Sequence, residues 1–143
     1  MATPQDAELI LKLYELRRDE KLREARAWFI EQFKPASIED VMATFASERS
    51  GSLRMVASYW EMAAAMVNHG AIDRDLFCDA NGEYLLVFAK MEPFLHELRE
   101  RVGNPRMSYN LEKLVDAAPH GRETVKRWQT RWAAETASKG AGA

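Results

Sequence analysis

The sequence is poorest in cysteine. Cys78 stands alone among 143 residues, so no intrachain disulfide can form and a packed core has to hold the fold. A reducing, cytoplasmic location fits that usage. Charge of one sign is not in excess either. Twenty Lys and Arg face 22 Asp and Glu, for a net charge of -2, which gives no overall pull toward nucleic acid, and no nucleic-acid partner is expected. Long hydrophobic runs are missing. MAAAMV and YLLVFA are the longest, far short of the roughly 20 residues that cross a bilayer as a helix. The opening MATPQDAELI has no basic segment followed by an apolar run, so a secretory signal is not expected there. The seven glycines mark turns and the C-terminal end; none builds a phosphate-binding loop. Sustained alternation with period two, the mark of a half-buried strand, is absent.

What the sequence has is apolar residues, 47% of the chain, arranged with helical period. Thr3-Pro4 with Asp6 is a helix start, and Leu9, Leu13 and Leu16 share one face. We expect this helix to continue, with a bend or break near Arg18 and Asp19, through Leu22, Ala25, Phe29 and Phe33 to a stop before Pro35. Ser37 opens a short helix with Asp40 three residues on. Gly51-Ser52 is a turn and cap, and a helix from Leu53 to His69 ends at Gly70. A short helix from Asp73 precedes the Asn81-Gly82 turn. Glu83 to Val102 is helical, with a kink or a fresh start at Pro93. Ser108 caps the next helix, and an amphipathic helix follows Gly121. The expected fold is all-α: a single-domain bundle of about six or seven helices, several of them short, kinked at Pro93. Residues 1–118 form its core, 119–134 a C-terminal amphipathic helix on the bundle or on a partner, and 135–143 a disordered tail.

The segment YWEMAAAMVNHGAID, Tyr59 to Asp73, raises the first functional question. Arg54, Ser58, Glu61, Ala65 and Asn68 fall on one narrow stripe, and nearly everything else from Met55 to Val67 is apolar. A helix apolar around most of its circumference belongs inside a bundle, with methionines filling gaps. Glu61 is the exception. A carboxylate between Trp60 and Met62 loses hydration on folding unless a donor or cation compensates. Arg26 and Arg99 are the candidate partners for a structural ion pair; a solvent-facing stripe is the plainer alternative. A ligand pocket at Tyr59, Trp60 and Glu61 is the second use of this stretch.

From about Leu9 to Asp116 the chain resembles a bacterial family, domain of unknown function four-seven-six-zero. REARAWFI, YWE before a small-residue helix, HGAID with DLF after it, NGEYLL, PFLHELRERVGNPR and NLEKL carry the resemblance. It implies a small all-helical domain and no particular reaction. Members often carry a membrane segment ahead of that domain, and none occurs in this sequence.

Constellations that would support catalysis are weak. Glu92, His96 and Glu100 lie four apart on one face, but the Glu-x-x-His pairs of a di-iron bundle are missing, because Leu95 and Ala64 stand where histidine would be needed. A solvated face is the better reading, and we expect no metal and no cofactor. Cys78 has no placed histidine partner and reads as a half-buried thiol. No catalytic residue is expected. In the last helix Val125, Trp128 and Trp132 line one side among Arg122, Lys126, Arg127 and Arg131. Val125, Trp128, Arg131 and Trp132 are therefore interface candidates, for the bundle itself or for a partner. The leading expectation is a non-enzymatic cytoplasmic protein-interaction or regulatory module, with a protein partner or as a homo-oligomer. The alternatives are a small-ligand-binding helical protein using Tyr59, Trp60 and Glu61, and a peripheral membrane protein using the last helix; membrane contact is not expected to dominate because that helix is short.

Overall fold

The computed structural model describes residues 1–141. Among them are eight helices and no strand: α1 (Pro4–Arg17), α2 (Glu20–Glu31), α3 (Ile38–Phe45), α4 (Ser50–Asn68), α5 (Arg74–Ala80), α6 (Glu83–Val102), α7 (Tyr109–Ala117) and α8 (Gly121–Ala141). The all-α expectation holds. The helix count rises to eight because the chain breaks fully at Arg18-Asp19. Arg18 closes α1, and the Asp19 carboxylate caps the α2 amides of Lys21 and Leu22, so a new helix starts where a bend was expected.

Several starts follow the expected chemistry. The Thr3 hydroxyl accepts from the Asp6 amide while Asp6 accepts from the Thr3 amide at 2.6 Å, a reciprocal capping box. Ser37 accepts from the Asp40 amide to cap α3, and Asp73 from the Leu76 amide to cap α5, without the reciprocal bond. Gly70 and Gly103 sit at φ +82° and +68° behind α4 and α6, left-handed positions that glycine takes without a Cβ penalty. Two starts differ. α4 begins at Ser50 rather than Leu53, with no side-chain cap. Ser108 precedes α7 at φ +55° and makes no cap bond.

α4 is the centre of the bundle, touching α2, α3, α5, α6 and α7. Val56, Trp60, Ala63, Ala64 and Val67 are buried against them, and the α2 stripe Leu22, Ala25, Phe29 is closed over as expected. Met62 is the departure. It was expected to face a neighbouring helix but is 43% exposed.

α6 runs unbroken through Pro93, so the fresh start expected there does not occur. Proline has no amide hydrogen for the carbonyl four residues back, that of Ala89. The Gln129 side chain of α8 supplies the missing donor, bonding Ala89 O at 3.0 Å. That bond helps fix α8 on α6, together with Val125, which is 2% exposed, and the stacked pair Trp128 and Trp132 at 6.4 Å. α8 also continues beyond the expected end at 134 to Ala141. Ala133, Ala134 and Glu135 are good helix formers, and no proline stops the turn. Gly142 and Ala143, the end of the segment expected to be disordered, lie outside the described residues.

Candidate functional site

Glu61, for which the sequence left a buried ion pair and a solvent-facing stripe both open, is half-buried, and its partner is neither Arg26 nor Arg99. Its carboxylate accepts from the Asn110 amide at 3.0 Å, the Asn110 side chain at 2.8 Å and the Leu111 amide at 2.8 Å. These are the first amides of α7, so Glu61 caps another helix from across the bundle and sits at the positive end of its dipole. Asn68, one α4 turn pair further on, donates to Asn110 O and Oδ1. Glu61 explains why α7 needs no cap of its own, and Asn68 holds Asn110 in place beside it. An uncapped N-terminus offers several amides at once, where an arginine offers one fork, and the amides lie nearer.

Arg26 and Arg99 are paired elsewhere. Arg26 reaches Glu83 bidentately, Nε and Nη2 each at 2.8 Å. The Trp60 indole donates to the same carboxylate at 3.0 Å. That hydrogen bonding raises the guanidinium of Arg26 above its ordinary value. Arg99 bonds Met107 O and Glu112 at 2.9 and 3.1 Å, fastening the loop ahead of α7. Two ion pairs therefore replace the one expected, and Glu83, unremarked in the sequence beyond starting α6, is the carboxylate that serves the Trp60 side of α4.

Tyr59, Trp60 and Glu61 do not meet in one pocket. Successive helical residues point about 100° apart, and the three go to different neighbours. Trp60 is 1% exposed among Tyr59, Phe77 and Tyr84. Tyr59 is buried with its hydroxyl donating to Leu13 O in α1, and burial pushes its phenol up to about 12. Tyr59 lines an open groove of about 520 Å³ together with Leu16, Asp19, Leu22, Met55, Ser58 and Met62. A second open cleft, about 320 Å³, lies between α2 and α3 beside Trp28, Phe33 and Arg49.

The interface candidates divide. Val125 is core; Trp128 and Trp132 pack half-buried against the bundle; Arg131 is exposed and pairs with Glu135 four residues on. Trp132 also covers a residue the sequence did not single out. Lys90 is 8% exposed, and its Nζ donates to the carbonyls of Phe29, Ile30 and Phe33 at 2.6, 2.9 and 2.9 Å. Its three protons cap the negative end of α2, and the charge lies 5.8 Å from the Trp132 ring centroid. Burial, helped by the nearby charge of Lys34, pushes Lys90 down to about 8. The sequence held one clue to the α8 contact: Pro93 frees a carbonyl that some donor must meet.

Burial raises the Cys78 thiol, which lies 3.4 Å from the Tyr84 hydroxyl. Glu92 accepts from Gln129, while His96 and Glu100 pair on the surface. Among the described residues no group of three or more His, Cys, Asp or Glu side chains is placed to hold a metal ion. No helix among them is long and apolar enough to cross a membrane.

No curated protein and no solved structure matches the chain. The sequence model of one family, described as a domain of unknown function, DUF4760, matches residues 2–118, which takes in α1 to α7 and leaves α8 outside. On that match over most of its length, the chain belongs to the DUF4760 family.

Proposed function

We propose that this chain is a non-enzymatic interaction module of the cytoplasm, which binds a protein partner or a second copy of itself. The apolar edge of α4 carries the reading. Met55 and Met62 are 37% and 43% exposed, Leu16 of α1 is 42% exposed, and the three flank the groove over Tyr59. Methionine side chains adapt to the shape of what they meet, and exposed apolar residues gathered at a groove favour docking. The half-buried carboxylates Glu61 and Glu83 are spent on α7 and on Arg26 with Trp60, and the more buried Asp6 on the Thr3 cap, so none of the three stands free as an acid or base.

The test uses the full chain and Met55→Gln/Met62→Gln. Self-association seen by sedimentation, and lost in the double variant at unchanged melting temperature, supports a homo-oligomer through the groove. A monomeric wild type moves the reading to a heterologous partner, read by a photo-crosslinker at position 58 in cells. A monomer that also gives no crosslinked protein there refutes the interaction reading. A ligand-binding role for the same groove predicts a raised melting temperature with small apolar compounds, lost in the same variant.

A further inference from the structure

A second surface of α1 points to a more specific partner. Leu11, Tyr14 and Arg18 follow one another by three and four residues, so they share a face, and Arg17 borders it. Leu11 is 64% exposed and Tyr14 51%. The Arg17 guanidinium lies 5.5 Å from the Tyr14 ring centroid and 5.3 Å from that of Trp60; Arg18 lies 6.0 Å from Tyr14. Arg26, Arg49, Arg99, Arg101 and Arg122 each reach a carboxylate. Arg17 and Arg18 reach none among the described residues, and Arg17 Nε is buried without an acceptor. Three carboxylates of this region are engaged with other groups. Glu83 holds Arg26 and Trp60, Asp19 caps α2, and Glu15 pairs with Lys12.

An arginine held by ring faces, with its hydrogen-bonding donors unspent, is preorganised for a planar anion. Its long side chain has already lost freedom, so less is lost when a ligand arrives. Arginine and tyrosine are also enriched among the residues that carry most of the energy of protein interfaces. Resting on the interaction-module reading, we propose that the Leu11–Tyr14–Arg17–Arg18 face of α1 docks an acidic amphipathic segment of a partner protein. Apolar side chains of that segment cover Leu11 and Tyr14, and an Asp or Glu meets the terminal nitrogens of Arg17 and Arg18. A bilayer fits less well. Anionic headgroups are held by clusters of several basic residues, whereas this face offers two guanidinium groups stacked on rings, which suits one placed Asp or Glu.

The experiment measures fluorescence anisotropy of a labelled helical peptide with a leucine face flanked by glutamates, beside the same peptide with glutamines. The proteins are the full wild-type chain, Arg17→Gln/Arg18→Gln, Arg18→Gln alone in case loss of Arg17 over Trp60 disturbs folding, and Met55→Gln/Met62→Gln. Circular dichroism checks each fold. The expected result is binding of the acidic peptide at least about tenfold tighter than the glutamine peptide. That preference weakens with salt, falls in both arginine variants and survives in the methionine variant. Equal binding of the two peptides, lost only in the methionine variant, overturns the acidic-partner proposal and leaves the interaction module standing. Binding of neither peptide also overturns it, while the crosslinking result at position 58 judges the broader reading separately. Binding to phosphatidylglycerol vesicles with no peptide preference overturns it in favour of a membrane surface.

Discussion

The bond between Gln129 and the Ala89 carbonyl makes a quantitative prediction, because its existence depends on a proline elsewhere. Ala89 is 1% exposed, and its carbonyl loses the usual helical donor at Pro93. Gln129→Ala removes the substitute donor at 3.0 Å and the weaker contact to Glu92 at 3.2 Å. A buried carbonyl left without a partner costs about 1–3 kcal/mol; with Gln129 half-buried, water recovers part of it, and a loss of about 1.5 kcal/mol is expected. Pro93→Ala restores an amide at position 93 that can bond Ala89 O within α6. In that background Gln129→Ala should cost only about 0.5 kcal/mol, giving a coupling energy of about 1 kcal/mol in the double-mutant cycle. Urea unfolding of the four proteins, followed by far-ultraviolet circular dichroism and by the fluorescence of the four tryptophans, Trp128 and Trp132 among them, measures it. Additive effects of the two substitutions would refute the claim that the proline creates the demand that Gln129 meets. Equal losses in both backgrounds would mean that Gln129 acts only by filling space between α6 and α8.

Three further predictions concern the other ties. Glu61→Ala leaves two α7 amides and the Asn110 side chain without their acceptor, and Ser108 offers no substitute. About 2 kcal/mol should be lost, near 6–8 °C in melting temperature, with the amides of Asn110 and Leu111 losing hydrogen-exchange protection first; an unshifted melt would sink the capping role. Lys90 gives a pH signature of definite sign. Its folded-state value near 8 lies below the ordinary 10.5, so between those limits the unfolded chain holds the proton more tightly and stability rises with pH. Relative to Lys90→Met, the wild type should gain about 2–3 kcal/mol between pH 7 and pH 10; a gap that stays flat or closes contradicts the burial argument. At Gly121 a Cβ would stand 2.1 Å from Val115 O, a backbone atom that cannot swing away. Gly121→Ala should cost about 2–4 kcal/mol and loosen α8, read as a shift in tryptophan emission; a stable variant with unchanged emission would show that the α7–α8 turn yields freely.

Much of the bundle was legible in the residues. Thr3, Ser37 and Asp73 announce helix starts because their short oxygen side chains act on amides two or three residues away. Gly70 and Gly103 announce ends, and the Leu22–Ala25–Phe29 stripe and the Trp60–Ala63–Ala64 stripe declare their buried faces by spacing. All of these are local, set by backbone geometry within a turn or two. Glu61 was legible as a carboxylate that would need a partner if buried, with a solvent-facing stripe as the open alternative. Where it would find its donors was not legible. Arg26 and Arg99 were reasonable by charge, but α4 and α7 are joined only through the fold, and the open amides of α7 lie closer than either guanidinium.

The sequence by itself determined most of the helices and of the faces they bury, and it raised the question of partners at Glu61 and beneath Pro93, because periodicity, caps and missing donors act along the chain. Only the tertiary structure decided which groups answer: α7 for Glu61, Glu83 for Arg26 and Trp60, Gln129 for Ala89, and the end of α2 for Lys90. It also turned Trp128 and Trp132 onto α6, left Met55 and Met62 at an open groove, and left Arg17 and Arg18 stacked on rings without a carboxylate. Those outcomes rest on distances between residues far apart in the chain, which the packing of eight helices sets and no single segment encodes.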